Sequence, residues 1–451
     1  MRLYELMLRQ GRERGDALFY KDETACLTYR DALRQVEERR EAMEEMGVKG
    51  KVTAFYLHHP LEQLLYFLAA QWAGAVPLLL HEYLEEEDLP RLFQKRRIHL
   101  FLSDRDIPGL SLVKKGSLYG KEMGRELAGK GDFAVLTSGS SGLPKVLFRR
   151  DGSWSDFFPV QNGIFNVTKE SRLFMHGSMA FTGNFNMAMA FLHEGASIHV
   201  SSGLSPKNWM KRIEEEHISH VYMIPSKLSP LSKTKGKASG LTHILTGSQL
   251  MTVSLYRRLG ERFPGAKIIL YYGSSELSYV SYAEGKDILQ KPDSVGKPFP
   301  GVRVSINKGE IMVDTPYGAE GIALPFTCHD LGRMDEEGTL HFLGRKEDMY
   351  HIKGNHVAKR KLLSRLLLLE GVEEAEVASW KLDNGDDRLT AFLAGSTLSD
   401  EKIVEELLKS LHPWEIPSAF VRAPSIPHTS TGKTDMRRLT SPEYLNEREQ
   451  Q

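Results

Sequence analysis

Residues 64–80 read LLYFLAAQWAGAVPLLL, and no charged residue interrupts them. The run sits at the bottom of the length a membrane-crossing helix needs, so one reading of it is a span. Gly74 and Pro77 support a second reading. They divide the run into a buried helix over 61–72 and a short apolar strand over 75–80, which suits a parallel sheet covered on both faces. The flanks extend this second reading. Residues 51–57, KVTAFYL, have the pattern of a strand, and the helix before them starts near Thr28 or Tyr29 and stops at Gly47. The rhythm recurs at 100–103, 134–137, 197–200, 220–224 and 267–271, with helical stretches between, so an α/β fold with mostly parallel sheets is expected.

Beyond 302 the pattern changes. Short runs such as EIMVDT and LHFLG alternate with the turns NKGE and DEEGT up to 343, which reads as antiparallel sheet. It changes again near 344–353, and a helix over 361–369, strands over 374–380 and 389–393 and a helix over 400–411 follow. A boundary is expected there, giving a large domain of residues 1–346 and a small α+β domain of residues 347–451.

Composition narrows the partners. Lys plus Arg and Asp plus Glu are each 59 in 451 residues, so the formal charge is zero and no whole-molecule field favours nucleic acid or an anionic membrane. Any charge chemistry must be local. The chain is 41% hydrophobic and 26% charged, which is ordinary for a globular protein with a large core. Its 2 cysteines, Cys26 and Cys328, cannot build a disulfide framework and lie in no metal-ligand spacing. Charges of both signs run through MRLYELMLRQGRERGD at the start, leaving no apolar run for a secretory signal, so a reducing cytoplasm is the expected location.

The sharpest local feature is FAVLTSGSSGLPK, residues 133–145. An apolar strand leads into Thr137, Ser138, Gly139, Ser140, Ser141 and Gly142, then Pro144 and Lys145. Glycines let backbone N–H groups converge on an anion, hydroxyls add donors and a lysine adds compact charge, a combination suited to polyphosphate oxygens. The plain alternative is a surface loop between strand and helix. GxxxxGK[ST] does not fit, because Lys145 follows Pro144 and precedes Val146. TGKT at 431–434 is no P-loop either, since Pro427 stands where its first Gly belongs.

TSGSSGLPK resembles the phosphate-loop signature of the adenylate-forming superfamily, which includes acyl-CoA synthetases and the adenylation domains of peptide synthetases. Three further motifs follow in that family's order. Residues 272–276, YGSSE, match YGx(T/S)E; Asp330 and, fifteen residues on, Arg345 match the Asp of TGD and the Arg of GRxxD; PHTSTGKTDMRRL, 427–439, matches PxTxxGKxDRxxL. The resemblance spans essentially the whole chain. It implies a large multi-part amino-terminal domain with a small β-barrel-like portion, and a mobile carboxy-terminal lid.

It also implies roles. The loop from Thr137 through Ser138, Gly139, Ser140, Ser141 and Gly142 to Lys145 would hold the ATP phosphates, with Thr137 and Lys145 also serving catalysis. Glu276 would help hold Mg²⁺, a hard cation that takes carboxylate and phosphate oxygens. Asp330 would accept from the ribose hydroxyls and Arg345 would add a second ribose contact. Tyr272 would lie on the adenine, with Gly247, Ser248 and Gln249 on its other side; Gly273, Ser275 and Phe342 complete the nucleotide contacts. Lys433 would place its ammonium between the acid and the α-phosphate, where charge develops. Glu347 occupies the hinge position, about which the lid turns between half-reactions.

The acid pocket would be lined by Phe181, Thr182, Ser248 and Gly273. Amino-acid-activating relatives place an Asp where this chain has Thr182, and a hydroxyl cannot neutralise an ammonium in a dry pocket. An α-amino acid is therefore not the expected substrate. Departures from the family pattern are Val146 for a Gly, His351 for a Lys with Lys353 displaced by two, and AKRKL after Val357 in place of an acidic run. The cluster of Lys353, Lys359, Arg360 and Lys361 reads either as a solvated helix face or as a contact for CoA phosphates or an acidic carrier protein. The expected activity is ATP-dependent formation of an acyl-AMP from a fatty or aryl acid and transfer to a thiol, CoA first, with a carrier protein as the alternative acceptor. A non-catalytic nucleotide-binding relative is the reading from another class. No nucleic-acid partner and no membrane span are expected.

Overall fold

The computed structural model describes residues 1–81, 84, 86–95, 98–123, 131–137, 144–249, 251–291, 293–352, 355–381, 387–429, 434–441 and 444. Pro60–Trp72 is a helix with proline at its start, and Val76–Leu79 is a strand buried along its whole length. Proline suits a first helical turn because its missing N–H would have no partner there. Among the described residues no helix is long and apolar enough to cross a membrane. The helix Tyr29–Glu45 starts where Thr28 and Asp31 exchange side-chain and backbone hydrogen bonds, a reciprocal cap for two orphan donors.

Two large sheets are built from these units. Among the described residues one has 7 strands, with Val52–Tyr56 between Leu100–Ser103 and Val76–Leu79, and Phe133–Thr137 next to the edge strand Lys145–Arg149. The other has 13, and its parallel part runs from Leu18–Lys21 through Ser197–Ser201, Arg172–His176, His220–Tyr222 and His243–Gly247 to Lys267–Ser274. Strand residues point alternately to two layers. Leu173, Met175, Leu245 and Ile269 enter a core shared with Phe55, Phe133 and Val135 of the smaller sheet, whereas Phe174, Val221, Ile244 and Ile268 pack into a second core on the opposite face. The two sheets therefore sandwich a common apolar layer.

The parallel array then turns antiparallel: Lys267–Ser274 pairs with Ser278–Glu284, which leads through Ser294–Pro298 to Leu340–Arg345, Asp330–Met334, Glu310–Asp314 and Arg303–Asn307. The expected strands over 302–343 are those last four. After residue 345, Glu374–Lys381, Asp387–Ala394 and Ala419–Ala423 form a separate sheet, and Lys359–Leu366 and Asp400–Leu408 pack on it around Leu362, Leu389, Leu393 and Ile403.

The sequence pattern misread two connections. The segment after Thr137 returns as a strand rather than a helix, with Thr137 opposite Lys145 in an antiparallel pair. The strand over 267–271 extends to Ser274 and turns back at once. The basic cluster also differs from either reading of it. Lys359 pairs with Glu376 at 2.7 Å, Lys361 pairs with Glu415 at 2.6 Å, and the Arg360 guanidinium lies 4.5 Å from the centre of the Phe342 ring. These cations are spent within the fold; Lys353 lies outside the described residues.

Candidate active site

The expected site residues that can be placed gather where parallel strands end. In doubly wound sheets that edge holds ligands, because loops diverge there and leave a crevice. His243–Gly247 ends at Gly247, and a Cβ on that residue would lie 2.6 Å from the Tyr271 ring, so only glycine fits. Ser248 follows with φ at +64°, and Gln249 accepts a hydrogen bond from the Ser226 amide at 3.0 Å. The adjacent strand carries Tyr272 and Gly273; a Cβ on Gly273 would lie 2.2 Å from the Ser278 carbonyl, which fixes glycine in this tight turn.

Tyr272 is tied to the antiparallel part of the same sheet. Its hydroxyl donates to Asp330 Oδ2 at 2.5 Å, and its ring packs on Phe342 at 5.4 Å between centroids. Asp330 is 4% exposed, and burial raises its carboxyl above the usual range although Tyr272 and Arg345 act against that. Arg345 Nε stands 3.4 Å from Asp330 Oδ1. That oxygen accepts no hydrogen bond among the described residues. Burial and the neighbouring Asp330 push the Tyr272 phenol well up, so it stays a donor. Burial likewise pushes the Cys328 thiol up to about 11, and it donates to Ser274 Oγ at 3.3 Å, which makes it a packed neutral group rather than a nucleophile.

Ser275 and Glu276 form the turn between Lys267–Ser274 and Ser278–Glu284. The Glu276 side chain is half-buried and joins no ion pair among the described residues, while its carbonyl accepts from Ala319 N at 2.7 Å. Among the described residues no three His, Cys, Asp or Glu side chains cluster as a metal site.

Sequence reading missed the group that anchors this turn. Arg149 ends the return strand of the Gly/Ser loop and is fully buried. Its guanidinium donates to the carbonyls of Ser275 and Tyr317, each at 2.5 Å, and to Ser278 Oγ. Burial lowers it to about 9, opposed by Glu276. Arg149 thus ties the strand leaving the Gly/Ser loop to the YGSSE turn.

Thr137 is 9% exposed at the end of its strand, and Lys145, directly opposite, is exposed. Thr182 starts the helix Thr182–Glu194 and donates to the Leu136 carbonyl at 3.4 Å, which brings the expected acid wall against the strand feeding the loop. Phe181 packs on His81 with ring centres 4.3 Å apart. Ser138, Gly139, Ser140, Ser141, Gly142 and Lys433 lie outside the described residues, and Glu347 sits in the short turn Lys346–Asp348.

A family model described as AMP-binding enzyme matches residues 7–322. The "Uncharacterized acyl--CoA ligase YhfT" of Bacillus subtilis is 27% identical over 319 residues, which is 66% of this chain and 66% of that protein. The "Putative long chain fatty acid-CoA ligase VraA" of Staphylococcus epidermidis is 22% identical over 92% of each chain. Among solved structures, o-succinylbenzoate CoA synthetase (MenE) from Bacillus subtilis, in complex with its acyl-adenylate intermediate, superposes with a TM-score of 0.81 at 17% identity, over 97% of this chain and 98% of that one. The same enzyme has been solved with ATP and a magnesium ion. At such identity the superposition establishes the fold.

Proposed function

The chain belongs to the AMP-binding enzyme family, and from that premise we propose that it uses ATP to convert a carboxylic acid to an acyl-AMP and passes the acyl group to the thiol of CoA. The observation that carries this reading is Asp330, a buried carboxylate bonded to Tyr272 by one oxygen with the other left without a hydrogen bond. The Arg345 and Arg360 charges offset part of its burial but Oδ1 accepts no hydrogen bond among the described residues, so it gains from donors, and two ribose hydroxyls are suitable ones. Gly247–Gln249 and Tyr272 are then assigned to border the adenine, with Phe342 packed at a tilt behind Tyr272.

Glu276 fits Mg²⁺ by the same logic. It is a half-buried carboxylate with no cation paired to it among the described residues. Mg²⁺ keeps waters and phosphate oxygens and needs only one or two carboxylates, so Glu276 can supply the protein's share. When bound, the metal would neutralise charge on the phosphates. Thr137 and Lys145, opposite each other at the mouth of the Gly/Ser loop, would steady the same phosphates, and Arg149 holds the Glu276 turn in place beneath them.

Two anions must meet in this reaction, so catalysis is mostly positioning and charge neutralisation. Lys433 is assigned the ammonium between acid and α-phosphate. The assignment of 347–451 as a lid turning about Glu347 belongs to the same proposal, as does a cytoplasmic location. CoA is the proposed acceptor because the relatives above are named as CoA ligases. The test is acid-dependent exchange of pyrophosphate into ATP across fatty, aryl and dicarboxylic acids, followed by CoA or a carrier protein as acceptor. Exchange with some acid and thioester with CoA are expected; ATP binding without exchange by any acid would sink the enzymatic reading.

A further inference from the structure

Lys227 stands on the acid side of this site without a carboxylate. It lies in the first turn of the helix Pro225–Ser232, whose Ser226 amide is bonded to Gln249 of the nucleotide wall. Its Nζ is 2.8 Å from His176 Nδ1, at the carboxyl end of Arg172–His176. An ammonium can only donate, so Nδ1 accepts and the imidazole proton sits on Nε2, which has no hydrogen-bond partner among the described residues, although the Ser202 and Gly203 backbone favours the protonated ring. Lys227 forms no ion pair among the described residues, and burial alone lowers its ammonium to about 8. By contrast, Lys359, also partly buried, pairs with Glu376.

The space beside it is bordered by Lys227 and Asn184. A Cβ on Gly177 would lie 3.7 Å from Lys227 Nζ and 4.0 Å from Asn184 Nδ2, and touch nothing else within 4 Å. Asn184 stands two positions after Thr182 in the same helix and points its amide here because it donates to the carbonyls of His176 and Ser178. A partly desolvated cation thus borders one gap, which the Asn184 amide closes on its other side with both N–H groups spent on the His176 and Ser178 carbonyls. A cation taken from water without an anion is unfavourable, and an incoming anion removes that cost.

We propose that the acid activated here carries a second anionic group, a distal carboxylate, which Lys227 neutralises while the first carboxylate is adenylated. The proposal rests on the ligase reading above. It takes the carboxylate of a substrate, rather than a phosphate of CoA, as the anion, because Lys227 reaches His176 at a strand end and its helix is bonded through Ser226 to Gln249.

The experiment is pyrophosphate exchange by the full chain with matched pairs: octanoic against octanedioic acid, and benzoic against the three benzenedicarboxylic acids. At least one diacid should exceed its monoacid in kcat/KM by tenfold or more. In Lys227→Met that ratio should fall at least tenfold, mainly through KM of the diacid, and Lys227→Arg should recover part of it. Lys227→Met removes an unpaired charge and keeps the stem, so its Tm should equal or exceed that of the parent. Three results would overturn the proposal: monoacids preferred throughout, an equal loss for both members of each pair, or a rise in KM for CoA with the acid preference unmoved. If no acid supports exchange, the ligase reading falls and this one with it; exchange with monoacids alone sinks only the second carboxylate.

Discussion

Two histidines at opposite edges of one parallel sheet are shifted alike and mean different things. His176 ends its strand on the ligand edge, His220 begins the neighbouring strand on the far edge, and both are lowered to about 4 chiefly by burial. His220 is satisfied at every polar atom. Its Nε2 lies 3.0 Å from the Phe165 carbonyl, Nδ1 lies 2.8 Å from Ser219 Oγ, and its ring stacks on His243 at 4.7 Å. Among the described residues, His176 meets an ammonium without an ion pair on Nδ1 and no hydrogen-bond partner on Nε2, with only the Ser202 and Gly203 backbone favouring its protonated ring. A displaced pKa therefore reports burial, while unmet polar groups mark the working edge.

The largest effect that should separate the two edges is catalytic. Lys433→Ala should cut acyl-AMP formation by about a hundred- to a thousandfold, the usual cost of removing one preorganised donor from developing charge. If 347–451 turns as the proposed lid and presents another face for that step, thioester formation from supplied acyl-AMP should survive. Equal loss of both half-reactions would contradict the assignment of 347–451 as a turning lid.

Next comes the far edge. His220→Ala removes two buried hydrogen bonds and a ring stack, and should cost about 2 kcal/mol of stability by urea unfolding. The KM values for acid and ATP should stay within twofold of the parent. His176→Gln should do the reverse, shifting KM for the acid with a smaller stability loss. A His220 variant with altered acid preference and unaltered stability would break the contrast between the edges.

Smaller again is Asp330→Asn. An amide still accepts from Tyr272 but binds ribose hydroxyls less strongly than a carboxylate, so KM for ATP should rise about tenfold while KM for the acid holds. Burial already disfavours the charged Asp330 side chain, so stability should not fall. A loss of stability without a change in KM would assign Asp330 to the fold instead of the nucleotide.

Much of this was legible beforehand, and the exceptions share a cause. Strands such as Val52–Tyr56 and Leu100–Ser103 were readable because parallel strands buried on both faces are continuous apolar runs. Asp330, Tyr272 and Glu276 were singled out by motif, which locates residues but says nothing of their partners. Arg149 and Lys227 were not found. Charged residues in a sequence read as solvated, and what buries Arg149 is the carbonyls of Ser275 and Tyr317, far along the chain and visible only after folding. The return strand Lys145–Arg149 was missed for the same reason, since its two terminal basic residues mask a pairing fixed by the strand beside it.

Acid titration gives the finest comparison. A histidine near 6.5 when unfolded and near 4 when folded takes up its proton later in the native chain. As pH falls from 7, the unfolded state gains protons first, so stability drops through the window between those values and is fully present above it. From pH 7 to pH 5.5 each such histidine should cost about 1 kcal/mol. His243 faces His220 and is lowered too, by burial and by Lys267, and it adds to the loss with the same sign. His220→Gln and His176→Gln should each flatten the stability-versus-pH curve by their own share, and the shares should add, because the two rings lie at opposite ends of the strands. Only the share of His176 should shrink when a diacid is bound, since an anion on Lys227 relieves the positive charge that helps hold His176 neutral. Equal response of both shares to a bound diacid would mean that the two edges are one electrostatic unit after all.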